Sequence, residues 1–187
     1  MIVAAIDSSL TGTGLARLVI TDHGEDEDGE RRASWSVMTV KEPVPGDTQY
    51  HPAQLTRMRN ICKQMAGFIQ DADMVIIEAP AYSKGMGMAH ERAGLWWMLY
   101  AAAGAVMQGH PLVILPNLRA KYATGSGTAG KDAVMLEASR RYPDSPMRNN
   151  NEADATVLAA MGARLAGMEI DQLPKTHLAA LKTLQLA

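Results

Sequence analysis

Two short apolar runs, Met1–Ile6 and Met74–Ile77, are each followed at once by a carboxylate, Asp7 and Glu78. Runs of this length rich in Ile and Val read as strands buried on both faces. Packing gives such a strand no reason to end in a carboxylate, and desolvating one is costly unless a cation compensates it. The order of the other elements decides whether the two carboxylates meet. Residues 13–21 and 33–40 alternate and read as a second and third strand, joined across the hairpin tip 22–32, which holds six acidic residues in eleven positions. The turn Leu10-Thr11-Gly12 links the first two strands, with Gly12 placed where φ can be positive. Helical spacing of Leu55, Met58, Ile61, Met65, Phe68 and Ile69 predicts a helix over 51–70. The strand ending at Glu78 follows, then a long apolar helix over 89–108 and a short strand over 112–115 stopped by Pro116. Helices are predicted over 117–124, 131–141, 151–166 and, in the tail, 174–186. Three consecutive strands leading into right-handed βαβ units place the fourth strand beside the first. The expected fold class is α/β, a mixed five-stranded sheet flanked by helices: an antiparallel three-strand meander plus parallel strands. Asp7 and Glu78 then emerge together at the carboxyl edge, where open α/β sheets gather ligands.

Composition narrows the classes. At 187 residues the chain fits one domain with a short appendage, divided here as 1–166 and a helical tail 167–187. With 47% hydrophobic and 20% charged residues it is not disordered. The single cysteine, Cys62, excludes a disulfide framework and zinc ribbons and reads as core. No apolar run reaches the roughly 18–20 residues of a membrane helix. The N-terminal run meets Asp7 without a basic flank, so it reads as a strand rather than a signal peptide, and a cytoplasmic setting is expected. A net charge of −2 argues against a non-specific nucleic-acid coat protein.

A third acid, Asp154, lies one turn inside a late Ala-rich helix. With Asp7 and Glu78 it makes an all-oxygen set suited to Mg²⁺, with Mn²⁺ as a substitute. Two such ions roughly 4 Å apart would activate water and stabilise the leaving oxygen of a phosphodiester.

These residues carry a family resemblance. The stretch Asp7-Ser8-Ser9-Leu10-Thr11-Gly12-Thr13-Gly14-Leu15-Ala16 resembles the first motif of the RuvC-type Holliday junction resolvases. Val75-Ile76-Ile77-Glu78 resembles their second motif. Pro116-Asn117-Leu118-Arg119, with Gly125-Ser126-Gly127 and Lys131, resembles the third, and Asn151-Glu152-Ala153-Asp154-Ala155 the fourth. The resemblance covers residues 1–166. It implies the RNase H-like fold, a divalent metal, a homodimer, and paired nicking of four-way or other branched DNA that leaves a 5′ phosphate and a 3′ hydroxyl. It also implies that Asp7, Glu78 and Asp154 are metal ligands, that Lys131 is catalytic, and that Thr13, Arg119, Lys121 and Lys131 contact DNA. The fourth motif usually carries an acid or histidine where this chain has Asn151. That residue shares a helix face with Asp154 and can offer an amide oxygen to the metals, whereas Glu152 turns about 100° away. The tail resembles those of phage and actinobacterial members.

Residues 116–150 hold six basic side chains against three acidic ones, within a chain of net charge −2. This segment follows the acidic edge and suits phosphates. Lys131, just after the Gly-rich loop, suits the charge at a scissile phosphate. The stretch from Met86 to Tyr100, with Trp96 and Trp97, suits either a protein interface or a buried helix. Tyr82, Ser83 and Lys84 are placed to touch DNA, and the five histidines read as scattered surface residues. Two rival readings stay open: a branched-DNA-binding protein with weakened catalysis, and an actin-like ATP-binding module.

Overall fold

The computed structural model describes residues 1–21, 32–46, 50–80, 88–182 and 184. Its centre is β1 (Ile2–Asp7), in a five-stranded sheet with β2 (Thr13–Thr21), β3 (Arg32–Val40), β4 (Met74–Glu78) and β5 (Leu112–Ile114). The order is β3-β2-β1-β4-β5. The β1–β2 and β2–β3 pairs are antiparallel, and β4 runs parallel to β1 and β5. The sheet is therefore the expected mixed one, and the fourth strand lies beside the first. The acidic tip at 22–31 and the residues Tyr82, Ser83, Lys84 and Met86 lie outside the described residues.

Because β1 is central, both its faces are covered, which is why its sequence is an uninterrupted apolar run rather than an alternating one. Ala4 and Ile6 pack with Met58, Ile61, Met65, Leu95 and Leu99 from α1 (Tyr50–Phe68) and α2 (Ala89–Met107). Cys62 is buried in the same layer, and burial pushes its thiol up to about 11. Val3 and Ala5 face α3 (Pro116–Thr124), α4 (Lys131–Arg141) and α5 (Asn150–Leu165).

α5 crosses the sheet against β1, β2 and β4 and buries twelve successive residues, Glu152 to Ala163. Its Ala content lets the backbone sit close. A Cβ on Gly162 would fall 2.1 Å from Ile76 Cδ1, and one on Gly14 would fall 2.1 Å from the Asn151 carbonyl oxygen. Positive φ among the described glycines occurs at Gly125 and Gly167, not at Gly12. Gly12 is small for another reason: a Cβ there would meet Thr39 Cγ2 at 3.1 Å and Asn151 Nδ2 at 3.4 Å.

The tail departs from the expected helix over 174–186. Gly167 ends α5 in a left-handed conformation, with its N–H bonded to Arg164 O and that of Met168 to Ala163 O, a Schellman motif. Among the described residues only α6 (Lys175–Leu178) is helical beyond it, and positions 183 and 185–187 lie outside them. Leu173, Leu181 and Leu184 still pack on the α3–α5 core, but through tight three-residue turns rather than helical spacing. Asp171 anchors this segment. Its buried carboxylate accepts from Tyr122 Oη at 3.1 Å, Tyr142 Oη at 2.5 Å and Arg164 Nη2 at 2.7 Å. His177, expected as a scattered surface residue, is half-buried and pairs through Nδ1 with the Tyr122 carbonyl at 2.8 Å. Asp171→Asn removes a buried charge from beside Arg164 and is expected to cost about 3 kcal/mol. Thermal melting checks this; a variant within about 0.5 kcal/mol of the parent would show that the tail is not anchored there. No helix among the described residues is long and apolar enough to cross a membrane.

Candidate active site

The parallel register sets Ile6 opposite Ile77, so Asp7 and Glu78 follow in step at the carboxyl edge of the two central strands. Asp154 reaches the same edge from the first turns of α5 and is fully buried. The three line one end of the sheet beneath a cleft of about 330 Å³ whose walls include Asp7, Glu78, Arg119 and Lys131. Asp7 Oδ2 and both carboxylate oxygens of Asp154 are buried without a hydrogen-bond partner.

This crowding shifts proton affinity. Burial, then the nearby Glu78 and Asp154 carboxylates, push Asp7 up to about 7, with Lys131 and Arg119 opposing. Burial pushes Asp154 up to about 6 against Arg119, with Glu78 adding and Lys131 opposing. Both values lie above the ordinary 3.8. Between about pH 4 and pH 7 the folded protein thus keeps protons that the unfolded chain has released. This proton-linked stability is full below about pH 4 and is lost as pH rises through 6 and 7. Each tenfold change in proton affinity is worth about 1.4 kcal/mol. Metal-free protein is therefore expected to melt at a higher temperature near pH 5 than near pH 8, and a divalent cation is expected to close that gap. A pH-independent melting temperature in chelator would contradict these shifts.

Arg119 fills the space between Glu78 and Asp154. Its Nε donates to Glu78 Oε2 at 2.8 Å and its Nη2 to Glu78 Oε1 at 3.3 Å. Its Nη1 lies 2.6 Å from Asp154 Oδ1, a close ion pair without hydrogen-bond alignment. The sequence reading places Arg119 on DNA; the structure buries it, because α3 starts directly after β5 and its first turn returns over the sheet end. Among the described residues, no three Asp, Glu, His or Cys side chains stand together as a group that could hold a metal ion.

Lys131 opens α4 at the rim, with its side chain 57% exposed, and its Nζ lies 3.6 Å from Asp154 Oδ2 and 3.3 Å from Asn151 Oδ1. Asn151 faces the site and donates from Nδ2 to Gly12 O at 2.6 Å. Glu152 faces away. It accepts from Thr39 Oγ1 at 2.8 Å and from the Arg148 N–H at 2.7 Å, while Asn149 caps its own N–H at 3.1 Å. Burial opposes, but these bonds hold the Glu152 carboxyl below its usual value, so it is a helix-start brace.

Thr13 is buried, and its Oγ1 donates to Ser9 O at 2.9 Å, bracing the loop after Asp7 rather than facing solvent. Lys121 sits half-buried in the last turn of α3. Arg57 is a residue the sequence reading passed over. Buried on α1, it donates to Leu10 O and to Glu42 O, pinning the same loop. Its spacing of four and eight from the apolar Ile61 and Met65 was the available signal. On α2, Trp96 Nε1 donates to the Glu78 carbonyl at 2.7 Å and its ring stacks on Tyr100, while the neighbouring Trp97 is 64% exposed.

The sheet order and the helix crossing it define an RNase H-like α/β fold. Among solved structures, the chain is similar to Thermus thermophilus RuvC at 18% identity and a TM-score of 0.66, covering 90% of this chain and 98% of that one. T. thermophilus RuvC in complex with a Holliday junction substrate matches at 16% identity over the same shares, also with a TM-score of 0.66. The yeast mitochondrial Holliday junction resolvase matches at 15% identity and a TM-score of 0.48, over 84% of this chain and 75% of that one. No protein-family model matches the sequence, and no curated protein does. At these identities the likeness to T. thermophilus RuvC establishes the fold.

Proposed function

We propose that the chain is a divalent-cation-dependent endonuclease that resolves four-way or other branched DNA by paired nicking, acting as a homodimer. The observation that carries the reading is the pair of buried carboxylates, Asp7 and Asp154, with oxygens that accept no hydrogen bond at one sheet end beneath an open cleft. Carboxylates so placed fit a hard cation, Mg²⁺ or Mn²⁺. When bound, the ion supplies positive charge against the phosphodiester and acidity to water. Asp7 and Asp154 would hold it. Lys131, exposed yet tethered through Asn151, meets the negative charge that grows on the scissile phosphate. Arg140 and Arg148, exposed on and beyond α4, hold the DNA backbone away from the reacting group.

A two-fold junction is matched by a two-fold dimer. The aromatic face of α2, with Trp97 exposed beside Trp96 and Tyr100, suits a second copy of the chain. A supercoiled plasmid extruding a cruciform tests paired nicking. Linear product at early times supports it, and accumulation of nicked circles refutes it.

A second reading has its own observation. Arg119 neutralises Glu78 and Asp154, and Asn151 contributes no charge, which favours a branched-DNA binder with weakened cutting. Asn151→Asp bears on this. The change puts a carboxylate oxygen against Gly12 O, so the metal-free variant is expected to melt lower than the parent. It also adds an anionic ligand, so half-maximal cleavage is expected at severalfold lower Mg²⁺. An unchanged Mg²⁺ requirement would show that position 151 does not serve the cation.

A further inference from the structure

The Arg119 guanidinium contacts both Glu78 and Asp154 with all three of its nitrogens, in a pocket where it is only 5% exposed. We propose that Arg119 is a resident cation occupying the second of the two cation positions expected at this site, so that the DNA-free protein takes one divalent ion, on Asp7 and Asp154. This inference rests on the nuclease reading above and specifies how its site is loaded.

The geometry separates the carboxylate oxygens into two groups. Both oxygens of Glu78 are clamped in the planar fork of Arg119. A guanidinium stays charged at every working pH and matches a carboxylate edge to edge, so it does not yield its place by losing a proton. An ion bridging Glu78 and Asp154 would need the volume the guanidinium fills and would meet its full positive charge at contact distance. The other group, Asp7 Oδ2 and the Asp154 oxygens, accepts no hydrogen bond. Its near cation besides Arg119 is Lys131, 3.6 Å from Asp154 Oδ2, on a largely exposed side chain that can turn outward. The side left for a divalent ion is therefore that of Asp7 Oδ2 and Asp154 Oδ2, while Asp154 Oδ1 shares Arg119.

The test is Mn²⁺ binding to the full chain without DNA, read by calorimetry and by electron paramagnetic resonance. The wild type is expected to bind one Mn²⁺ with an uncoupled spectrum and to lose that ion in Asp7→Asn. Arg119→Gln is expected to bind two, with the spectrum of a coupled pair, while Arg119→Lys keeps a charge and stays at one. Two coupled ions in the wild type, or a folded Arg119→Gln that still binds one, would overturn the proposal and leave the nuclease reading standing. No Mn²⁺ binding by the wild type, or binding indifferent to Asp7→Asn, would overturn both. Should Arg119→Gln fail to fold, the wild-type spectrum alone decides between one ion and a coupled pair.

Discussion

Asp7→Asn is expected to abolish junction cleavage, lowering the single-turnover rate by on the order of 10³ or more, while junction affinity stays within a few-fold. Asp154→Asn is expected to behave alike in rate. In the proposed function the DNA backbone is held by Lys and Arg side chains that the substitution does not touch, so binding is expected to survive. Stability makes the result specific. In the metal-free protein the Asp7 carboxyl is buried, close to two other acids, and pushed up to about 7. An amide of the same shape carries no charge there, so Asp7→Asn is expected to melt at least as high as the parent near pH 8 in chelator. Loss of cleavage with a raised melting temperature cannot come from unfolding. Full-rate cleavage by the variant would remove Asp7 from the site.

Gly14→Ala is expected to cost about 2–4 kcal/mol and to reduce cleavage about 100-fold. The new methyl would sit 2.1 Å from the Asn151 carbonyl oxygen and 2.5 Å from its carbonyl carbon, and both are backbone atoms. Relief requires the start of α5 to move away from β2. That start is tied down by the Asn149 cap, by Glu152 on Thr39 and by Asn151 on Gly12. Moving it displaces Asp154, which the proposed chemistry needs within a fraction of an ångström. Thermal melting and single-turnover cleavage measure the two effects. A variant that loses stability but keeps its rate would show that α5 does not set the position of Asp154.

The sheet edge was legible because it depends on local pattern. A buried strand ending in a carboxylate can be read twice in the chain, and the handedness of the crossover brings the two ends together. Asp154 and Asn151 were singled out by the resemblance of residues 151–155 to the family's fourth motif, and their spacing of three puts them on one helix face. The place of Arg119 was not legible. A basic residue on a nine-residue helix reads as solvated, and its burial follows only once β5 lies next to β4 and α3 turns back over the edge. Thr13 and Gly12 sit within the right motif, but their work is to brace a loop and admit α5, and their partners, Ser9 apart, lie far along the chain. The tail misled for a related reason. Leu178, Leu181 and Leu184 have helical spacing, yet the buried Asp171 cluster and the tight turns after α6 hold them down without a long helix.

Cleavage of an end-labelled four-way junction, beside a linear duplex of the same sequence, in Mg²⁺ and in chelator, tests the central claim most directly. Cutting confined to the junction, dependent on Mg²⁺ and absent in Asp7→Asn, is the result the account predicts. A wild type that binds the junction tightly in Mg²⁺ but never cuts it, or cuts it equally well in chelator, would contradict it.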